Sequence, residues 1–276
     1  MDFVHSLLRG MNRAAPPQVS MSKRLTVDRL LSKLGIASRG TSQEWIRVGR
    51  VRVNGRVIRE PATWVLWPKD SVSIDEQPIQ DSVKRFVLFH KPRGVITTHS
   101  DERGRKTIFD VLPEDMGSLH AIGRLDQATS GLLLITNDST LSSYLTDPTS
   151  KVTRTYLVSV RGAFTEAQAA EAIAGVVDSG ERLQCHSVKI QKKSGRESHL
   201  EVVLTQGKNR EIRRLFQALG HEVTRLRRVQ FGPFRLKDLP PGAWREIPIE
   251  DARKALLLGR EAGGAGDLPA CSGNER

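Results

Sequence analysis

The sequence predicts an α+β protein in two parts, and three observations carry that prediction. Residues from about 24 to 75 hold two runs with helical spacing followed by period-two alternation. A polar stretch without periodicity occupies 76–84. From Arg85 to about Leu258, short strand and helix patterns alternate. The 276 residues are enough for one or two domains with a real core, and 38% hydrophobic with 27% charged residues excludes wholesale disorder.

Taken in order, residues 1–23 read as a flexible arm. Asp2 and His5 interrupt a stretch whose apolar part is only Leu7 and Leu8, and no cleavage site follows, so a signal peptide is not expected. Periodic sequence starts after Met21, which makes that residue an alternative to Met1 as the start. Val27, Leu30, Leu31 and Leu34 recur at helical spacing and Gly35 supplies a stop. A second helix is expected to open on a Thr41/Glu44 capping box and to bury Trp45, Ile46 and Val48. After Gly49, Val51 and Val53 alternate with Arg50 and Arg52, Asn54-Gly55 marks a hairpin, and Val72 and Ile74 suggest a later strand. Residues 24–75 thus form a first domain, and 76–84, with Pro78, a linker.

The second domain is expected over 85–258. Phe86 and Leu88, then Val95-Ile96, suggest strands around a turn at Lys91-Pro92-Arg93-Gly94. Further strands are expected over 132–136, 155–160, 183–190 and 200–205, and helices over 166–174 and 210–219. Residues 259–276 are rich in Gly, Ala, Pro and Ser and read as a disordered tail. No apolar run approaches the roughly 18 residues of a membrane span. Cys185 and Cys271 are too few and too far apart for a disulfide framework or a metal-ligand pair, which fits a reducing cytoplasm.

Charge limits the partner. With 43 Lys+Arg against 31 Asp+Glu the chain carries +12. The excess lies in two regions: residues 1–80 hold 13 basic against 7 acidic residues, and 205–237 hold 9 against 2. Such patches follow phosphate backbones electrostatically, without reading sequence. With 8 Phe, 4 Trp and 2 Tyr, binding through rows of stacked bases is less expected than binding through charge. Both regions are expected to follow phosphate.

The segments RLTVDRLLSKLGIASRG and IRVGRVRVNGRVI resemble the small RNA-binding domain shared with ribosomal protein S4. That resemblance implies RNA contacts at Lys33, Arg39, Arg47 and Arg50. The GTSQEW that follows Ser38-Arg39 departs from the usual charged continuation.

The stretch 123–138, GRLDQATSGLLLITND, runs a polar loop with one carboxylate into a continuous apolar strand. Asp126 then sits at the strand's rim, on a turn completed by Thr129-Ser130-Gly131. By residue type alone it either organises that turn or does chemistry. The block resembles the signature of pseudouridine synthases, in the branch that holds the ribosomal small-subunit synthase A and the large-subunit synthases B, E and F. KPRGVIT at Lys91, RTYLV at Arg154 and LTQGKNREIRRLFQALGHEVTRLRR at Leu204 resemble three further motifs of that family. Glu211 stands where many relatives carry Gln, a replacement tolerated in the synthase B group.

The resemblance implies a catalytic domain built on a mixed, largely antiparallel sheet flanked by helices, and an RNA pseudouridine synthase as the activity. It implies Asp126 as nucleophile or base toward the sugar, Arg213 as the cation that keeps this carboxylate ionised, and Tyr156 stacked on the target base. Leu204 is the apolar wall and Arg124 supports the extruded nucleotide, since a base within a stack is out of reach. Lys91, Arg210 and Arg214 are expected to meet phosphate. Detaching, turning and rejoining a base involves no net redox change, so neither cofactor nor metal is expected. The partner is ribosomal RNA, of the large subunit first, or a ribosomal subunit precursor, met by a monomer away from membranes. A synthase for small-subunit or transfer RNA, and a non-catalytic RNA-binding ribosome-assembly factor, are the competing readings.

Overall fold

The computed structural model describes residues 23–80 and 83–261; most of the expected arm and tail lie outside them. Two compact units result, one from residues 23–32 and 37–80, the other from 33–36 and 83–261.

The first unit is built on β1 (Lys23–Thr26), α1 (Val27–Lys33), α2 (Arg39–Arg47), β2 (Val51–Val53), β3 (Arg56–Val57), β4 (Trp64–Trp67), β5 (Val72–Ile74) and β6 (Gln77–Pro78). Val27, Leu30, Leu31, Ile46, Val51, Val65 and Val72 form its buried interior. The Asn54-Gly55 turn joins β2 to β3 with both residues at positive φ, 49° and 79°. Several expectations change. Residues 23–26 form a strand paired with β4 that was not expected, and Lys23 leaves the expected arm. Ser38, not Thr41, caps α2, accepting from the Thr41 amide at 3.1 Å. Val48 is 60% exposed, because it follows the helix and no longer shares its buried stripe. Pro78 and Gln77 pair with β5, so the expected linker gives its first residues to this unit.

A buried carboxylate organises the helix pair. Asp28 accepts from Arg39 (2.9 Å), Gln43 (3.1 Å), the Arg29 amide (2.8 Å) and Thr26. Burial acts to raise its pKa, but the bonds from Thr26, Gln43 and Arg39 bring it down to about 2. Because this lies below the unfolded value of 3.8, the stabilisation is present above pH 3.8 and lost as pH falls toward 2. Asp28→Asn is expected to cost about 2 kcal/mol at neutral pH, read as a lower urea midpoint. An unchanged midpoint would remove Asp28 from this role.

The second unit contains β7 (Phe86–Lys91), β8 (His120–Ala121), β9 (Ser130–Thr136), α3 (Ser139–Thr146), β10 (Arg154–Arg161), α4 (Glu166–Ala174), β11 (Val176–Asp178), β12 (Glu181–Leu183), β13 (Ser187–Lys193), β14 (Glu197–Leu204), α5 (Glu211–Ala218), β15 (Val223–Phe231), β16 (Phe234–Arg235), β17 (Trp244–Ile247) and α6 (Ile249–Glu261). Its main sheet runs β13-β14-β10-β15-β9-β7-β17, with β16 beside β15 and β8 beside β9. Among these strands only the β9–β15 pair is parallel, as the mixed, largely antiparallel expectation requires.

The apolar run of β9 reflects its place in the sheet. Leu133 and Ile135 enter one hydrophobic cluster, with Val87, Phe89, Phe164 and Phe216, while Leu132 and Leu134 enter another on the opposite face, with Phe86 and Phe234. Val95 and Ile96 do not make a strand: only an isolated bridge from Ile96 to Thr107 forms, and β7 pairs with β9 and β17. The stretch 183–190 is two strands, β12 and β13, in different sheets. β15 and helices α3 and α6 were not anticipated, and α6 extends three residues into the expected tail. Among the described residues no helix is long and apolar enough to cross a membrane.

Candidate active site

The loop before β9 carries Asp126 and is clamped by the segment after β7. Thr97 Oγ1 donates to the Leu125 carbonyl at 2.9 Å and accepts from the Leu125 amide at 3.2 Å. The Gly94 amide donates to the Gln127 carbonyl at 2.8 Å. Lys91 is fully buried, its ammonium donating to the carbonyls of Thr129 (2.8 Å), Pro92 (3.1 Å) and Asp126 (3.2 Å). A turn closes the loop through the Thr129 amide and the Asp126 carbonyl at 2.9 Å. The KPRGVIT segment therefore acts as the foundation of the Asp126 loop. Lys91 cannot meet phosphate as expected, because its three donors are spent on carbonyls inside the protein.

Burial pushes the Lys91 pKa down to about 8, against the pull of the Asp126 charge. The unfolded lysine keeps its proton to about 10.5, so this group's contribution to stability rises with pH between 8 and 10.5. Lys91→Met should lack that rise in a pH series of melting temperatures. It removes the shared donor of three carbonyls, of which only that of Asp126 keeps the Thr129 amide, and is expected to lower kcat about 100-fold by displacing the Asp126 loop. Turnover equal to wild type would show that the clamp is dispensable.

Asp126 faces a cleft of about 680 Å³ lined also by Arg124, Tyr156, Leu204, Arg210 and Arg213. Its side chain is 37% exposed and Arg210 Nη1 stands 3.6 Å away. Tyr156 and Leu204 project from β10 and β14, 8% and 3% exposed, and form an apolar wall. Ile212, Leu215 and Phe216 anchor α5 in the core, which aims the preceding turn, with Arg210 at a φ of 48°, at the cleft. The cleft thus gathers Asp126, Tyr156, Leu204, Arg124, Arg210 and Arg213.

Arg213 does not bond the Asp126 carboxylate. Its Nη1 donates to the Val223 carbonyl at 3.0 Å and its Nη2 to the Ala128 carbonyl at 3.3 Å, tying α5 to the Asp126 loop. Burial and the nearby Arg210 lower its pKa, and the Asp126 charge opposes them. The direct ionic partner is Arg210, which sequence assigned to phosphate. Arg214 is likewise reassigned: it bonds Asp178 at 2.6 Å and Glu181 at 2.7 Å, holding α5 on the β11–β12 hairpin.

In the first unit Arg39 is paired with Asp28, and Arg50 with Asp75 while lying 4.8 Å over the Trp45 ring. Arg47 is exposed and lines a concavity of about 600 Å³ with Arg29, Arg39 and Arg59. Lys33 closes α1.

Sequence reasoning gave no role to three cleft residues, of which it noted Glu211 only as a departure from Gln. Arg228 is 2% exposed, donates to the Leu132 carbonyl at 2.7 Å, and leaves Nη2 unpartnered. Arg154 is 8% exposed and donates to the Leu145 carbonyl at 2.9 Å; both guanidiniums lie close to the Phe231 ring, at 4.7 and 4.9 Å. Glu211 is 3% exposed, accepts from the Lys208 amide at 3.1 Å and has its pKa raised by burial, with Oε1 unpartnered. Sequence gave no clear signal for Arg228, because β15 is irregular, its register against β10 shifting between Thr155 and Tyr156 and again between Ser159 and Val160.

Comparison with known proteins supplies the frame for this geometry. Residues 85–218 match the RNA pseudouridylate synthase family and 25–72 match the S4 domain. A ribosomal large subunit pseudouridine synthase B of Bacillus subtilis (strain 168) is 30% identical over 235 residues, covering 84% of this chain and 96% of that protein. Another, from Vibrio cholerae serotype O1, is 36% identical over 238 residues, covering 83% and 73%. A crystal structure of a pseudouridylate synthase, 24% identical, superposes with a TM-score of 0.58 over 84% of this chain and 99% of that one, which shows the shared fold. With its S4 domain, its mixed sheet and a cleft built around the GRLD loop, this chain belongs to the RNA pseudouridine synthase family.

Proposed function

We propose that this protein isomerises a uridine of large-subunit ribosomal RNA to pseudouridine, acting as a monomer in a bacterial-type cytoplasm. The observation that carries the reading is the placement of Asp126 opposite the Tyr156–Leu204 wall in one cleft rimmed by Arg124 and Arg210. All of these groups come from one chain.

The extruded uridine packs on Tyr156 and Leu204, with Arg124 and Arg210 supporting the sugar-phosphate around it. Asp126 acts at the sugar, as nucleophile or as base, while the bond from ribose C1′ to base N1 breaks. The base turns and C1′ bonds to C5. The C5 proton leaves and N1 gains one, so atoms and electrons balance without a cofactor. Arg213, fixed to the Ala128 carbonyl, and Lys91 hold the loop that presents the carboxylate. Arg47 and its neighbours in the first unit bind RNA backbone.

The reading is tested by incubating the protein with transcripts of large- and small-subunit ribosomal RNA and mapping pseudouridine at nucleotide resolution. A new modified position in the large-subunit transcript is expected. Binding to both transcripts with no modified position in either would leave an RNA-binding factor instead of an enzyme.

A further inference from the structure

We propose that the sheet face opposite the cleft carries a second RNA-backbone site, formed by Arg93, Arg225 and Arg227. On β15, Arg225 and Arg227 are exposed and alternate with buried Leu226 and Arg228. On β10, Leu157 and Ser159 alternate with Tyr156 and Val158, and the register sets Leu157 beside Arg227 and Ser159 beside Arg225. Tyr156 belongs to the cleft, so these two arginines project from the other face. There they line a groove of about 470 Å³ with Arg93, Ser130, Gln191 and His199, and no Asp or Glu contributes to its lining.

Folding consumes most of the basic excess in 205–237. Arg213 goes to two carbonyls, Arg214 to two carboxylates, Arg228 to the interior, Lys208 to the Arg182 carbonyl and Glu181, and Arg210 to Asp126. Among the described residues Arg225 and Arg227 have no such partner: two acids adjoin the groove, Glu201, which accepts from Gln191 at 3.3 Å, and Glu197, 3.7 Å from His199, and neither is paired with these arginines. The two arginines lie two residues apart on a strand, about 6.8 Å, far enough for each guanidinium to take its own phosphate. Gln191, Ser130 and the Ser159–His199 pair, bonded at 3.0 Å, offer neutral hydrogen-bonding groups between them, suited to ribose hydroxyls.

The groove and the cleft meet at the Asp126 loop and share Leu226 in their linings. Ala128 lines the groove, its carbonyl is gripped by Arg213 from the cleft side, and Asp126 is two residues away. A strand leaving the cleft rounds the Asp126 loop and meets Arg93, then Arg225 and Arg227. This path rests on the reading that the chain acts on ribosomal RNA; its occupant is single-stranded backbone flanking the target uridine.

The test compares wild type with Arg225→Gln/Arg227→Gln in binding a full-length large-subunit ribosomal RNA transcript and a 12-nucleotide uridine oligomer across a salt series. For the transcript, the variant is expected to bind at least about tenfold more weakly at 50 mM salt, with a slope of log affinity against log salt shallower by about 1.4, or 0.7 per lost single-strand contact. The oligomer, far longer than a cleft of about 680 Å³ can hold, should lose affinity in the same direction, and Arg225→Lys/Arg227→Lys should keep the wild-type slope for both RNAs. Equal slope and affinity for the double Gln variant, with an unchanged melting curve, would overturn the proposal. The readout is binding, so a wild type that binds the transcript without modifying it refutes the enzymatic reading alone.

Discussion

Asp126→Asn is expected to remove pseudouridine formation while leaving RNA binding intact. The side chain is 37% exposed and its close ionic partner, Arg210, is 52% exposed, so the pair contributes little to stability and folding should survive the change. In the proposed reaction what is lost is the carboxylate that acts at the sugar. A positioned acid-base group supplies about 10²–10⁴ in rate, so the single-turnover rate on the modified RNA should fall by at least about 10²-fold. Affinity should stay level or tighten, because one negative charge facing an anionic polymer disappears. Turnover within tenfold of wild type would disqualify Asp126 as the catalytic residue. Weakened binding at unchanged rate would recast it as a loop organiser.

Gly131→Ala should unfold or severely destabilise the second unit. Gly131 has a φ of +111°, a conformation that L side chains rarely adopt. A Cβ there would stand 2.2 Å from the Arg228 carbonyl oxygen and 2.6 Å from its amide nitrogen, both main-chain atoms of β15. No rotamer relieves this overlap. β9 must move away from β15 where Arg228 and Gly131 stand in register in the parallel pair. A penalty of several kcal/mol follows from strain and lost packing together, about 10 °C in melting temperature at roughly 2–4 °C per kcal/mol. Gly123→Ala is the control: its φ is +71° but nothing lies within 4 Å of the added carbon. That change should cost only the left-handed penalty of about 1–2 kcal/mol. Similar melting temperatures for the two variants would mean that the sheet yields at Gly131.

Much of this architecture was legible in the residues. The Val27-to-Leu34 helix, the Asn54-Gly55 hairpin, the buried run at Leu132 and helix α4 all rest on local periodicity or turn chemistry, which nearest neighbours decide. The segment around Val95 failed because two β-branched residues beside a Pro-Arg-Gly turn look like a strand, whereas β7 finds its partners in β9 and β17. β15 was obscured by Arg225, Arg227 and Arg228 among its apolar residues and by two register shifts against β10 that break the alternation.

The two basic regions were set by residue type, and the place of Asp126 by spacing, since a GRLD turn before an apolar strand leaves it at the strand's rim in any fold that buries that strand; the roles of Asp126 and Tyr156 came from the family resemblance. Which cation serves which anion was decided by tertiary structure. Lys91, Arg210, Arg213 and Arg214 look equivalent in sequence, yet the fold gives them three carbonyls, the Asp126 carboxylate, two carbonyls that join α5 to the loop, and a pair of acids on a hairpin. A long cationic side chain takes whichever acceptor lies within a few ångströms once elements distant in sequence have packed, and that proximity is a property of the packed sheet and helices.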